Sequence, residues 1–113
     1  MDDLIVFRKM YEYLSWLRPS VERFARMHRY GLGNEMEQSA LTVLRHIVSA
    51  NFAADKLPAI GRALVELEVL RIYQRLTYDY KLLSGRQFTH ASALLDEIGR
   101  LLRGWHKSYR GPR

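Results

Sequence analysis

Apolar residues recur along this chain at steps of three and four, in four stretches separated by short polar or glycine-bearing breaks. The first stretch, about Asp3 to Phe24, carries Leu4, Phe7, Tyr11, Leu14, Leu17, Val21 and Phe24. Pro19 removes one backbone donor within it and predicts a kink there, with Ser20 and Glu22 placed to restart the helix. Gly31 and Gly33 lower helix propensity across Arg26–Gly33, which reads as the first corner. A second helix over about Leu32–Ala53 turns Leu32, Met36, Ala40, Val43, Ile47 and Ala50 inward, and Asp55–Pro58 is a tight turn. The last helix, about Arg86–Lys107, carries Phe88, Ala91, Leu95, Ile98, Leu102 and Trp105 at the alternating three-four steps of a knobs-into-holes seam. Short connections make successive helices antiparallel. The predicted fold is therefore all-α, an up-and-down antiparallel four-helix bundle over residues 1–108, with 109–113 as a loose tail.

The third helix organises the rest. Pro58 opens it at a position where proline is pre-organised for a helix start, and Ser84-Gly85 is expected to close it after Leu83. Ile60, Leu64 and Leu67 share one side, but past Glu68 the apolar positions shift by nearly half a turn to Val69, Ile72, Tyr73, Leu76, Tyr80 and Leu83. Arg71, Arg75 and Tyr78 continue the first stripe. A helix in a lone bundle needs one apolar stripe. Two stripes predict different neighbours at the two ends, and so a homo-oligomer with an arginine-bearing surface.

Charge sharpens this picture. The net charge is +6, from fourteen arginines and four lysines against twelve carboxylates. Residues 1–68 balance at nine basic and nine acidic side chains, whereas 69–113 hold nine basic and three acidic. A field of that sign attracts polyanions, and arginine's forked donors suit phosphate, so nucleic acid leads among partner classes. With no cysteine, disulfides and thiol chemistry are excluded. No apolar run approaches a membrane span, and Leu4–Phe7 is too short for a signal-peptide core, so a cytoplasmic location without membrane contact is expected.

Two basic rows are candidates for phosphate contact. Arg71 and Arg75 lie four apart with Tyr78 near them, an arrangement suited to phosphates and unstacked bases; Glu68 and Asp79 also stand at ion-pairing distance in sequence. Arg100, Arg103 and Lys107 follow on the last helix, where cations equally complement the helix dipole. Lys81 joins these as a nucleic-acid-binding candidate. Trp16, Asn51, Gly99 and Trp105 are expected at oligomer contacts. Gly99 and Gly104 suit close approach of a neighbouring helix or subunit, Gly104 equally a fraying helix end, and a buried Asn51 would fix register or else cap its helix.

Catalysis finds little support. None of the seven glutamates is followed three positions later by histidine, as a di-iron bundle requires, and zinc-ligand spacing is missing. No metal, cofactor or catalytic residue is expected. The arginine-to-histidine spacing of helical-bundle ribonucleases occurs at Arg23…His28 and Arg100…His106. A chain with fourteen arginines and four histidines produces such matches by chance.

The order of features resembles the Avd (accessory variability determinant) proteins of diversity-generating retroelements over nearly the whole chain. The resemblance is carried by Phe7, Tyr11, Trp16 and Pro19, then by His28-Arg-Tyr-Gly-Leu-Gly33, Ala50-Asn51 and Asp55-Lys-Leu57. Leu67-Glu-Val-Leu-Arg71 with Arg75, Asp79 and Lys81 follows, then Glu97-Ile-Gly-Arg100 and Gly104-Trp105. It implies a non-catalytic partner of the element's reverse transcriptase and template RNA, with cDNA or RNA/DNA hybrid as further ligands. It also implies a pentameric barrel of four-helix protomers that supports mutagenic cDNA synthesis. By residue it extends to Arg71, Arg75, Lys81 and Arg100. His106 and Arg103 depart from the family pattern. Related bundles encoded in ribosomal intervening sequences share this fold, and a scaffold of that type is the alternative the resemblance leaves open.

Overall fold

A computed structural model describes residues 2–110, with side chains from Leu4 to Tyr109. Four long helices, α1 (Asp2–Glu22), α3 (Asn34–Phe52), α4 (Leu57–Asp79) and α5 (Gly85–Arg110), form a rod of 49 × 22 × 19 Å; α2 (Arg26–His28) is a single turn. There is no strand among the described residues. Each long helix packs on two others, in the cyclic order α1, α3, α4, α5, so α1 faces α4 across the core. The expected four-helix bundle is present. The helical backbone continues past Lys107 to Arg110, and residues 111–113 of the expected loose tail lie outside the described residues.

The inward row of α5 is as the heptad spacing predicts: Ala91, Leu95, Ile98, Leu102 and Trp105 are buried, and Phe88 is half-buried. The α3 row Met36, Ala40, Val43, Ile47 and Ala50 is likewise buried. The α1 row differs. Val6, Met10, Tyr13, Leu17 and Val21 form the core, while Leu4 and Tyr11 are exposed. The apolar arc of α1 spans half the helix, and packing against α3 and α5 selects its Val6–Met10 edge.

The corner also departs from expectation. Gly31 and Gly33 do not end a helix: Arg29–Gly33 form a π-turn that runs directly into α3, and Gly33 has helical φ −60°, ψ −44°. Gly33 serves close approach instead. A Cβ there would stand 2.7 Å from Val21 Cγ1 and 3.1 Å from the His28 carbonyl oxygen. Pro19 lies inside α1, which runs helical through Glu22.

Helix α4 stops at Asp79, not Leu83. Lys81 adopts φ 64° and its N–H bonds the Tyr78 carbonyl, while Leu82 N–H bonds that of Thr77. These are the two bonds of a Schellman ending, so a lysine occupies the left-handed position usually held by glycine. Ser84 belongs to the next helix: its Oγ accepts from Gln87 N–H and its own N–H donates to Gln87 Oε1, a reciprocal N-terminal box. At the other end of α4, Lys56 Nζ donates to the carbonyls of Ala50, Asn51 and Ala53, closing α3.

One stripe of α4 faces the core throughout: Ala59, Ile60, Ala63, Leu67, Leu70, Gln74 and Thr77. The half-turn in the apolar pattern therefore does not rotate the packed face. Beyond Leu70 the inward row turns polar, with Gln74 and Thr77, and the apolar Ile72 and Leu76 turn outward. Tyr13 Oη donates to Gln74 Oε1 at 2.8 Å across the core, and Gln74 Nε2 donates to Ser92 Oγ at 3.0 Å, so the buried amide is satisfied from two helices. Burial pushes the Tyr13 phenol pKa up, against the opposing field of Arg71.

Candidate nucleic-acid interface

Side by side, α4 and α5 present most of the predicted basic residues on one long face. Arg71, 29% exposed at its side chain, donates Nη1 to Asp96 Oδ1 at 2.8 Å and places Nε 3.1 Å from Glu68 Oε2. Arg75 Nε meets Asp79 Oδ1 at 3.0 Å. Arg100 is set apart on the α1 side of α5: its Nη2 is 3.7 Å from Glu97, whose other oxygen lies 3.3 Å from Lys9 of α1. Gly99 makes room for two of these cations, with Arg103 Nη1 and Arg71 Nη2 lying 3.1 and 3.6 Å from where its Cβ would stand. Leu67 of α4 closes on the same glycine at 3.3 Å. The face is thus a ladder of ion pairs, with Arg103 and Lys107 in no ion pair among the described residues. Exposed pairs of this kind contribute only ~0–1 kcal/mol each, so a phosphate can replace a carboxylate at little loss.

Lys81 is not on this face. It stands at the end of the rod, in the α4–α5 turn, beside the corner between α1 and α3; His28 of that corner packs edge-on against Tyr80 with ring centroids 6.3 Å apart. Arg23, Arg26, Arg29 and Arg86 share this end, with Tyr30 70% exposed among them. Charge counting by chain half hid this cluster, because three of its arginines belong to the balanced half of the sequence. The spacing Arg23, Arg26, Arg29 beside Tyr30 is the signal that marks it.

The positions expected at oligomer contacts divide. Trp16 lies half-buried at the α1–α5 seam, 5.6 Å from the Tyr13 ring and 6.1 Å from that of His90. Asn51 is half-buried and its Oδ1 has no hydrogen-bond partner among the described residues. Trp105 is corrected: at 2% exposure it fills its own protomer's core. The outward apolar surface instead comes from elsewhere. Val65, Ile72 and Leu76 run along the outer side of α4, and Val65 and Ile72 are 68% and 62% exposed. A second strip lies on the other flank, where Arg18 Nη1 bonds Glu37 Oε2 at 2.9 Å and joins α1 to α3. Leu4 and Tyr11 share the helix side of Arg18 at steps of seven, and Val48 and Phe52 follow Glu37 along α3. The Glu37 hydrogen bond raises the Arg18 pKa above its ordinary value.

Arg100 and His106, six residues apart, sit about 120° from each other around α5. His28 is turned against Tyr80. No group of three acidic or histidine side chains that would hold a metal ion occurs among the described residues, and no described helix is long and apolar enough to cross a membrane.

A family model described as bAvd-like matches residues 4–109, from the first exposed leucine of α1 to the end of α5. The chain belongs to the bAvd-like family. The bAvd-like match takes in all four long helices, the paired basic face, both outward apolar strips and the cationic end. This is the Avd-type identity that the order of motifs suggested. No curated protein matches the chain significantly.

Proposed function

We propose that this Avd-type protein is the non-catalytic accessory subunit of a diversity-generating retroelement, acting in the cytoplasm. It binds the element's reverse transcriptase and template RNA, together with the cDNA or RNA/DNA hybrid that forms on it, and so supports mutagenic cDNA synthesis. The observation that carries this reading is the family match over residues 4–109, reinforced by the net charge of +6. Template RNA contacts Arg71, Arg75, Arg103 and Lys107 on the α4–α5 face, Arg100 on the α1 side of α5 and Lys81 at the end of the rod.

Assembly follows from the two apolar strips. They are different surfaces, on α4 and on the α1–α3 flank, so the contact they suit is heterologous, and such contacts close into rings when the rotation permits. Five protomers is the number the family resemblance implies.

The tests are native mass measurement, co-elution with the element's reverse transcriptase, and affinity for template RNA across a salt series. A ring, a stable complex and salt-dependent binding are expected. Replacing Arg71 and Arg75 with alanine should reduce the salt slope by ~0.7 per lost phosphate contact on a single strand. A monomer binding neither polymerase nor RNA refutes the proposal. The internal ion pairs of Arg71 and Arg75 favour one second reading, a scaffold of the intervening-sequence type that meets an acidic protein and no nucleic acid.

A further inference from the structure

Five cations that make no ion pair among the described residues gather at one end of the rod, away from the α4–α5 ladder. Arg23, Arg26, Arg29, Lys81 and Arg86 make no ion pair among the described residues, although four carboxylates lie near. Those carboxylates are already engaged: Glu22 and Glu37 by Arg18, Asp79 by Arg75, and Glu35 by the Tyr73 hydroxyl. The five unpaired cations outnumber the one carboxylate, Glu35, that no cation holds, so the end projects a net positive field.

An aromatic platform stands within that field. Tyr30 is exposed, and the guanidinium carbons of Arg26 and Arg29 lie 6.0 and 5.6 Å from its ring centroid. Both are cation–π distances, so the ring holds two cations beside it while much of its surface stays open. Arg29 supplies a further sign. Its Nε is buried with no hydrogen-bond partner among the described residues, at the edge of a cleft of about 220 Å³ that Tyr30, Asn34, Arg18, Glu22 and Glu37 also line, both carboxylates there being held by Arg18. A buried donor without an acceptor is unfavourable, and an acceptor oxygen entering the cleft removes that penalty.

We infer that this end is a single-stranded nucleic-acid site in its own right: Tyr30 stacks an unpaired base, Arg29 receives a phosphate oxygen, and Arg23, Arg26, Lys81 and Arg86 track the backbone. The inference rests on the RNA-binding reading above and places a strand where that reading had only Lys81. Phosphates alone would suit a duplex equally. The exposed ring is what selects a single strand, because a base inside a duplex offers no free π-face. An acidic protein would meet the cations but leave the ring and the cleft unused.

The test is binding of the full-length protein to a fluorescent single-stranded 20-nucleotide RNA of mixed sequence, to the same sequence as duplex, and to polyglutamate. Tyr30→Ser should weaken single-strand binding about tenfold, the size of one lost base stack, with the salt slope unchanged and duplex binding unaltered. Arg23→Gln with Arg26→Gln should lower the salt slope by ~1.4, two single-strand phosphate contacts. All three side chains are exposed, so the melting temperature should hold and serves as the fold control. Wild-type protein that binds no RNA refutes the wider reading and this one together. Wild-type RNA binding that all three substitutions leave intact refutes this site alone, as does a Tyr30→Ser loss that is equal for single strand, duplex and polyglutamate.

Discussion

Replacing Tyr13 with phenylalanine removes one oxygen from the centre of the bundle and tests how its polar core is held. The hydroxyl donates to Gln74 Oε1 at 2.8 Å, and Gln74, 2% exposed, sends its amide to Ser92 at 3.0 Å. Without the hydroxyl, the Gln74 oxygen keeps its burial and loses its donor, which costs ~1–3 kcal/mol. In a domain of this size each kcal/mol moves the melting temperature by about 4 °C, so a fall of about 4–12 °C is expected. Urea and thermal unfolding at one fixed protein concentration measure this, since the proposed assembly would make the midpoint concentration-dependent. A cycle with Gln74→Met should return a coupling of ~1 kcal/mol or more. Alkaline titration gives an independent reading. The phenol ionises near pH 10 in the unfolded chain, and burial raises its pKa in the folded one. The contribution of Tyr13 to stability is therefore level below about pH 10, then falls by ~1.4 kcal/mol per pH unit as the unfolded chain alone releases the proton. Tyr13→Phe should flatten that limb by one proton. A variant with the wild-type slope, or a loss under ~0.5 kcal/mol at neutral pH, would falsify the claim that this network is closed and dry.

Three further outcomes follow from particular geometries. Gly33→Ala should destabilise by ~1–3 kcal/mol, because its methyl meets Val21 at 2.7 Å and backbone at 3.1 Å. Gly31→Ala, with nothing within 4 Å, should be near neutral in the same melt, and equal effects at both sites would defeat the close-approach explanation. Lys81→Gly should stabilise by ~0.5–1 kcal/mol, since glycine carries no penalty at φ 64° and repays part of the gain through its freer unfolded chain. A lower melting temperature refutes the strained-cap reading. Val65→Asp with Ile72→Asp should reduce the native mass to that of the protomer while far-UV circular dichroism keeps its helical amplitude. An unchanged mass removes the outer side of α4 from the assembly.

Much of this fold is written in local pattern. The α3 and α5 rows were legible because each has a single narrow stripe that any bundle must bury. The α1 row was misread because its apolar arc spans half the helix, and only the positions of α3 and α5 decide which edge goes inward. Gly33 reads as a breaker in sequence and proves to be a clearance, a property of the distance between Val21 and a turn twelve residues later. Lys81 at a left-handed helix ending leaves no signature, since lysine carries no preference for that conformation.

The basic surface divides along the same line. Composition fixed the sign and size of the charge, and spacing placed Arg71, Arg75, Arg100, Arg103 and Lys107 on outward faces. It did not show which cations are answered. Arg71 meets Asp96 from twenty-five positions away, and Arg18 holds Glu37 from nineteen. Five of the cations left unanswered, Arg23, Arg26, Arg29, Lys81 and Arg86, come from the corner, the α4–α5 turn and the start of α5, segments brought together only by antiparallel packing. The helices, the bundle and the polyanion-attracting field are readable residue by residue along the chain, because they depend on periodicity and summed charge. Tertiary structure decided which arginines are neutralised and which remain free, because ion pairing falls off within a few ångströms and depends on neighbours that no local window contains.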